Sequence, residues 1–182
     1  MDEDNFVGYD VSKNCMAGCK AIMDNYNVGY GSSNHVYQLL VENDGILEYY
    51  GDDHEINYTN AINCIDRHLD ADRPIIVRVN HTPRQNINEG ATDHWIVVTG
   101  RGYDKDQKMY YYTYMDTGYS TTRATDACNT TDNRLYYDPT NLTFRDNEDR
   151  RERQLDVTQV RPNDGLNLNE TITQPARPTT NN

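Results

Sequence analysis

The sequence predicts a single α+β domain in which N-terminal helices pack on an antiparallel β-sheet. Two observations predict it. Apolar side chains recur at helical spacing in three early segments, whereas the later segments are short β-branched or aromatic runs separated by turn residues. Helices followed by a run of strands are typical of α+β domains rather than of alternating α/β units. The length of 182 residues also fits one domain.

The three predicted helices cover residues 14–25, 33–43 and 58–69. At the start of the first, either Ser12 or Asn14 can act as the cap, because the side-chain oxygens of both accept hydrogen bonds from the first backbone N–H groups. The apolar residues at helical spacing are Met16, Cys19, Ile22 and Met23 in the first helix, Val36, Leu39 and Leu40 in the second, and Ile62, Ile65 and Leu69 in the third.

Seven strands are predicted from runs with high β-propensity. The two strongest are residues 94–99, which read His-Trp-Ile-Val-Val-Thr, and residues 109–115, which contain four tyrosines. Residues 100–108 form the turn between them, so these two strands are expected to pair as a hairpin. The other strands are predicted at residues 46–50, 75–79, 134–137, 142–144 and 155–160.

The composition changes after Pro162. Residues 163–182 combine Pro, Asn and Thr with few large apolar side chains, so they cannot bury enough surface to offset the entropy lost on ordering. We therefore expect a folded domain over residues 1–162, followed by a flexible polar tail over residues 163–182.

The chain carries a formal net charge of −12, from 29 acidic and 17 basic residues. This charge argues against a nucleic-acid partner, since proteins that track phosphates need a basic face. No apolar run reaches the roughly 18 residues of a membrane span. The acidic residues 1–4 lack the apolar region of a signal peptide, and Cys15 follows soon after them, so we expect the mature form of an exported or secreted protein, or an excised domain.

The cysteines and most histidines give no metal site. The four cysteines, at positions 15, 19, 64 and 128, contain no C-x-x-C pair, and at most one disulfide can form if Cys15 is a reactive thiolate. His68 follows Cys64 by one helical turn, and its mid-helix position favours core packing over a Cys–His pair. Residues 52–55 are metal-type ligands in a row, but adjacent side chains point apart, which favours a solvated loop.

Three residues indicate a chemistry. Cys15 opens the first predicted helix, and a thiol at a helix N-terminus beside a histidine loses its proton more easily. His94 opens one strand of the predicted hairpin and Asp116 follows the other. A hairpin folded symmetrically about residue 105 sets His94 opposite Asp116, so the acid can fix the imidazole and leave its other nitrogen for the thiol. The competing interpretation is a surface ion pair at two strand ends.

The segment Asn14-Cys-Met-Ala-Gly-Cys-Lys-Ala-Ile-Met resembles the helix start of bacterial papain-like cysteine peptidases, which include the double-glycine leader peptidases of bacteriocin exporters. Residues 72–80, 94–100 and 114–116 resemble the strands that follow in that family. The resemblance implies a papain-like fold with Cys15 as nucleophile, His94 as base and Asp116 as orienting acid, and it requires no metal or organic cofactor.

The sequence departs from this family at two places. Met16 and Ala17 stand where the family has Gly-Pro, and Tyr9 stands where it has a glutamine that helps to bind the oxyanion. The backbone N–H of Cys15 can still donate to that oxyanion. Other side chains near the glutamine position are Asn5, Asp10 and Asn14.

We therefore expect a hydrolase that cleaves a peptide or amide bond through a Cys–His–Asp triad. A small acidic domain of this kind resembles bacterial type VI secretion effectors, amidases that cut peptidoglycan stem peptides and are paired with an immunity protein. The alternatives are a protein-directed protease, a transglutaminase-like enzyme, or a catalytically impaired domain that binds a partner through its tyrosine-rich strands or its tail. The loop at residues 81–93 is interpreted as a substrate-facing lid or a disordered insertion.

Overall fold

The computed structural model describes residues 2–10, 14–30, 36–44, 46–82, 94–146 and 154–163. The helices are α1 (Cys15–Asn25), α2 (His54–Asp70) and the one-turn α3 (Ala124–Ala127), and 3-10 turns cover Glu3–Asn5 and Thr121–Arg123. The strands are β1 (Tyr37–Gln38), β2 (Leu40–Asn43), β3 (Ile46–Tyr49), β4 (Ile75–Thr82), β5 (His94–Asp104), β6 (Met109–Met115), β7 (Arg134–Asp138), β8 (Thr143–Asp146) and β9 (Gln154–Arg161).

Six of these strands close into an antiparallel barrel. Their order around it is β9, β4, β5, β6, β7 and β8, and β8 returns to β9 where Arg145 lies opposite Asp156. β1 pairs with β9 as a seventh strand, with Tyr37 opposite Val160. β2 and β3 form a separate hairpin.

Two apolar cores form on opposite faces of β4 and β5. Consecutive residues of a strand point to opposite faces, so the neighbours Ile75 and Ile76 enter different cores. Ile75 belongs to the core that joins all six barrel strands to α2. Ile76 belongs to the second core, where Val97 and Met115 pack beneath α1. Burial on both faces explains why these strands are continuous apolar runs in the sequence.

The predicted papain-like α+β fold, with N-terminal helices packed on an antiparallel sheet, is wrong. The described chain is mostly β, with a closed six-stranded barrel, an added strand and three helices. Closure depends on β9, which pairs with both β4 and β8. These contacts join residues that are far apart in the sequence, and local periodicity carries no information about them.

The predicted helix at residues 33–43 is also wrong over its described part, which forms β1 and β2. Its apolar residues suit helical spacing. However, the Leu39 N–H donates to the Thr158 carbonyl of β9 at 2.8 Å, and not to a carbonyl one helical turn earlier. Tyr37 is aromatic and pairs with Val160 of β9, and Val41 is β-branched and pairs with Glu48 of β3, so both suit strands.

The other predicted elements are confirmed, with shifted ends. The helices at residues 14–25 and 58–69 are α1 and α2, and α2 begins earlier, at His54. All seven predicted strands occur, and the strand that opens at His94 runs on to Asp104. Residues 164–182 of the predicted tail, and residues 83–93 of the predicted lid, lie outside the described residues.

Candidate active site

α1 holds Cys15 at its first position. The side chain of Asn14 caps the helix by accepting a hydrogen bond from the Ala17 N–H at 2.9 Å, so one of the two predicted caps is confirmed. Ile22 and Met23 are fully buried in the core that α1 forms against the sheet. The capped and anchored helix brings the Cys15 thiol close enough to His94 for the imidazole to lower the pKa of the thiol.

His94 and Asp116 form a short buried contact. Nε2 of His94 lies 2.6 Å from Oδ1 of Asp116, and the two residues are only 8% and 9% exposed. The predicted hydrogen-bond reach between these side chains is therefore observed. Since Nε2 faces the acid, Nδ1 is the ring nitrogen that remains for the Cys15 thiol.

The register that predicted this contact is wrong. Val97 lies opposite Met115 and Val98 opposite Tyr114, so an extended ladder would set Asp116 across from Ile96 rather than His94. The error is two residues, and side chains two residues apart on a strand share a face. His94 and Asp116 therefore meet diagonally, whereas a shift of one residue would have put them on opposite faces.

The turn after β6 positions the acid. The Gly118 N–H donates to Oδ1 of Asp116 at 2.8 Å, so this oxygen accepts from both Gly118 and His94. Thr117 Oγ1 donates to the Trp95 carbonyl at 2.6 Å and ties the turn to β5. A Cβ at Gly118 would lie 3.0 Å from Oδ1 of Asp116 and 3.4 Å from the His94 ring, so the site needs glycine there. The Asp-x-Gly sequence was the signal for this role.

The environment of Cys15 favours its thiolate. Burial raises the pKa of the Cys15 thiol, but the hydrogen bond and charge of His94, with backbone N–H groups of Trp95 and Met16, outweigh burial and lower it. Burial lowers the pKa of His94, but Asp116 and Cys15 more than compensate and raise it to about 9. A thiolate beside an imidazolium is the state that makes a cysteine nucleophilic.

The other three cysteines have raised thiol pKa values. All four are free thiols. Burial raises the pKa of Cys19 well above its usual range, that of Cys64 to about 12 and that of Cys128 to about 11. Cys15 alone combines partial exposure with a lowered thiol pKa.

Of the polar side chains considered for the oxyanion, Asn5 and Asn14 are engaged elsewhere and an ionised Asp10 lacks a donor. Asn14 is the helix cap. Asn5 donates to Asp2 at 3.2 Å and lies beside Asn25, at the other end of α1 from Cys15. Tyr9 has a half-exposed side chain, and an ionised Asp10 only accepts hydrogen bonds. The backbone N–H of Cys15 therefore stays the proposed hydrogen-bond donor to the oxyanion.

The second Cys–His pair is structural, as predicted. His68 Nδ1 lies 2.7 Å from the Cys64 carbonyl and 3.6 Å from the Cys64 sulfur. His68 Nε2 accepts a hydrogen bond from the Asn163 N–H at 2.9 Å. Both ring nitrogens are therefore used inside the core.

The acidic segment at residues 52–55 spans the start of α2. His54 stacks on Tyr49, with ring centroids 4.6 Å apart. Within the described ranges, no three His, Cys, Asp or Glu side chains are grouped as a metal site would require. Asp52 and Asp53 form a turn, but His54 and Glu55 begin α2, so the predicted loop over residues 52–55 is wrong in its second half.

Sequence reasoning missed three residues beside Cys15. The guanidinium groups of Arg78 and Arg161 lie over the ring of Trp95, at 4.9 and 5.2 Å from its centroid. Nη1 of Arg161 also lies 3.9 Å from the sulfur of Met16, the residue that follows the thiol. The signal was an arginine inside the apolar run at residues 75–79.

Comparison with protein-family models, curated proteins and solved structures finds no match to this chain. None of the helices in the described part of the chain is long and apolar enough to cross a membrane. The functional argument therefore depends on the geometry of the site and on its motifs.

Proposed function

We propose that this protein is a cysteine hydrolase that cleaves a peptide or amide bond through an acyl-thioenzyme. The observation that carries the proposal is the buried His94–Asp116 hydrogen bond beside Cys15, the one cysteine of four whose thiol pKa is lowered. Cys15 is the nucleophile, His94 the base and acid, and Asp116 the group that orients the imidazole. The motif resemblance to cysteine peptidases supports the same roles.

The proposed reaction has two stages. The Cys15 sulfur attacks the carbonyl carbon while His94 holds the thiol proton, and the oxyanion accepts a hydrogen bond from the Cys15 N–H. His94 then gives the proton to the leaving amine as the C–N bond breaks. In the second stage His94 takes a proton from water, the hydroxyl attacks the thioester, and the acid product leaves as the thiolate re-forms. These steps use only residues of this chain.

The preferred substrate is the stem peptide of bacterial peptidoglycan, with an immunity protein as the partner that blocks the site. The support is analogy of size and charge with secreted amidase effectors, at 182 residues and a net charge of −12. A protein-directed protease would use the same residues on another substrate.

One observation favours a second candidate, a catalytically impaired binding domain. Tyr9 replaces the glutamine of the resembled peptidases, and Asn14 is occupied as a helix cap. Loss of one oxyanion donor lowers kcat by about 10²–10³ in well-studied hydrolases. Such a domain would keep a reactive Cys15 and release no product.

The test measures cell-wall cleavage and thiol reactivity in the same preparations. Purified peptidoglycan is incubated with the wild-type protein, Cys15→Ala and the matched control Cys64→Ala, and the soluble fragments are identified by mass spectrometry. We expect the wild type and Cys64→Ala to release amide-cleaved fragments and Cys15→Ala to release none. A wild-type Cys15 that iodoacetamide does not modify at pH 6 would refute the hydrolase, and a reactive Cys15 without fragments would favour the other candidates.

A further inference from the structure

We propose that Arg78 and Arg161 form a binding subsite for a carboxylate, so that the substrate carries a carboxylate next to the bond that Cys15 attacks. This inference deepens the proposed function and names the substrate class. It starts from the guanidinium groups of the two arginines, which both lie over the ring of Trp95, at 4.9 and 5.2 Å from its centroid.

Neither arginine forms an ion pair with a carboxylate in the part of the chain that the structure describes, although the chain has 29 acidic residues. The Nε atoms of both are buried and have no hydrogen-bond partner in that part of the chain. Buried polar groups are normally paired, and each unpaired donor costs stability.

Neighbouring positive charges add to that cost. Burial, followed by the charge of Arg161, lowers the pKa of Arg78, and burial lowers the pKa of Arg161. Both groups nevertheless stay protonated, as arginine does in proteins. Two neighbouring cations that form no ion pair with a described carboxylate are suited to an anion that arrives with a ligand. Guanidinium forks bind planar carboxylates by two parallel hydrogen bonds.

The pair lies at the nucleophile. Arg78 is close enough for the charge of Cys15 to act on its pKa, and Arg161 contacts Met16, which follows Cys15. Trp95 follows His94 directly on β5. Arg78 also lines a cavity of about 510 Å³, together with residues of the β2–β3 hairpin and with Asn80 of β4.

The cleanest probes are iodoacetate and iodoacetamide, which differ in a carboxylate and an amide. With each, the thiolate attacks the methylene carbon and iodide leaves, so the chemistry at Cys15 is the same. Rates at Cys15 are measured by mass spectrometry for the wild type, Arg78→Gln, Arg161→Gln and Arg78→Lys. Arg101→Gln is the matched control, because it removes the same charge on the part of β5 beyond Gly100.

We expect the wild-type ratio of the iodoacetate rate to the iodoacetamide rate to exceed that of a small model thiol. Each Arg→Gln change should lower this ratio about tenfold, the effect of losing one charge-assisted hydrogen bond. Arg78→Lys should lower it less, and Arg101→Gln should leave it unchanged. A wild-type ratio no higher than that of the model thiol, or a ratio that both Arg→Gln variants retain, overturns the subsite.

A second measurement separates this inference from the proposed function. Trp95 is the only tryptophan, so its fluorescence reports on the arginine pair. Cys15→Ala is titrated with glutarate at constant ionic strength, and a saturable change that Arg78→Gln and Arg161→Gln remove supports the subsite. If that change occurs but wild-type Cys15 reacts with neither reagent at pH 6, the hydrolase fails and the subsite stands. If no saturable change occurs, the subsite is overturned, whatever the reactivity of Cys15.

Discussion

Asp116 raises the pKa of His94 at the candidate site through its charge and a hydrogen bond. Its Oδ1 accepts hydrogen bonds from His94 and from Gly118, and its charge is the main reason that the pKa of His94 is raised despite burial. The raised pKa of the imidazole and the lowered pKa of the Cys15 thiol have opposite effects on how stability depends on pH.

The first prediction follows from this opposition. A raised His94 pKa contributes stability that is present below about 6.5, its ordinary value, and is lost as the pH rises through about 9. Cys15 acts oppositely, because its lowered pKa means that the unfolded state binds more protons at this thiol than the folded state does. Cys15→Ala removes that opposing effect, so its free energy of unfolding should fall more steeply than that of the wild type as the pH rises above about 6.5.

Urea unfolding at several pH values between 6 and 9 checks this prediction. The double variant Cys15→Ala, Asp116→Asn is the control, since it also removes the charge that raises the pKa of His94. It should lose most of the slope. Equal slopes for the wild type and Cys15→Ala would contradict the assignment of an imidazolium beside a thiolate.

The second prediction concerns Gly118. In Gly118→Ala the new methyl group would lie 3.0 Å from Oδ1 of Asp116 and 3.4 Å from the His94 ring, so the pair must separate by a few tenths of an ångström. We expect the His94 pKa, measured by NMR titration, to fall toward its ordinary value, and the reaction of Cys15 with iodoacetamide at pH 6 to slow. An unchanged His94 titration would show that Gly118 has no positioning role.

At the site, residue types and their order along the chain were enough to predict the three central residues, but not their surroundings. Cys15, His94 and Asp116 meet although the assumed register was two residues out, because that error preserves the face of the sheet. Arg78 was read only as part of a strand. Its role depends on Arg161, which β9 brings beside it from more than 80 residues away.

Among the elements, the difference between β1–β2 and the predicted second helix shows where local patterns fail. Leu39 belongs to the apolar face of the predicted helix and is fully buried in the observed structure. Its apolar character therefore could not distinguish a helix from a strand. The choice was made by β9, whose Thr158 carbonyl accepts from the Leu39 N–H. α1 was predictable because its cap and its apolar face are both local.

The third prediction tests the last strand. β9 pairs with β1, β4 and β8, so a chain that ends at residue 153 loses the strand that closes the barrel and should not fold. A chain that ends at 163 should melt like the full chain. A chain that ends at 162 should melt at a lower temperature, because it lacks the hydrogen bonds from Asn163 to His68 and to the Pro74 carbonyl.

Thermal unfolding by circular dichroism compares these three truncations with the full chain. Equal melting temperatures for the chains that end at 162 and 163 would show that Asn163 contributes little despite being 3% exposed. A folded chain ending at 153 would contradict the barrel.

For the molecule as a whole, α1, which carries Cys15, packs on one face of β4 and β5, while the opposite face fills the barrel. This sharing of two strands by two cores was absent from the predicted fold, because an α+β sheet needs no closure. It implies that stability and site geometry can be separated by mutating neighbouring residues.

The last prediction uses Ile75 and Ile76, which are 0% and 1% exposed and enter different cores. Each change to Ala should cost about 2–5 kcal/mol of unfolding free energy, because each removes buried methyl groups and leaves a cavity. Ile76→Ala loosens the packing beneath α1, so it should also slow the reaction of Cys15 with iodoacetamide under folding conditions. Ile75→Ala leaves that layer intact and should react like the wild type. Urea midpoints and alkylation rates measured together check both parts, and equal slowing in the two variants would mean that the α1 layer does not position Cys15 independently of the barrel.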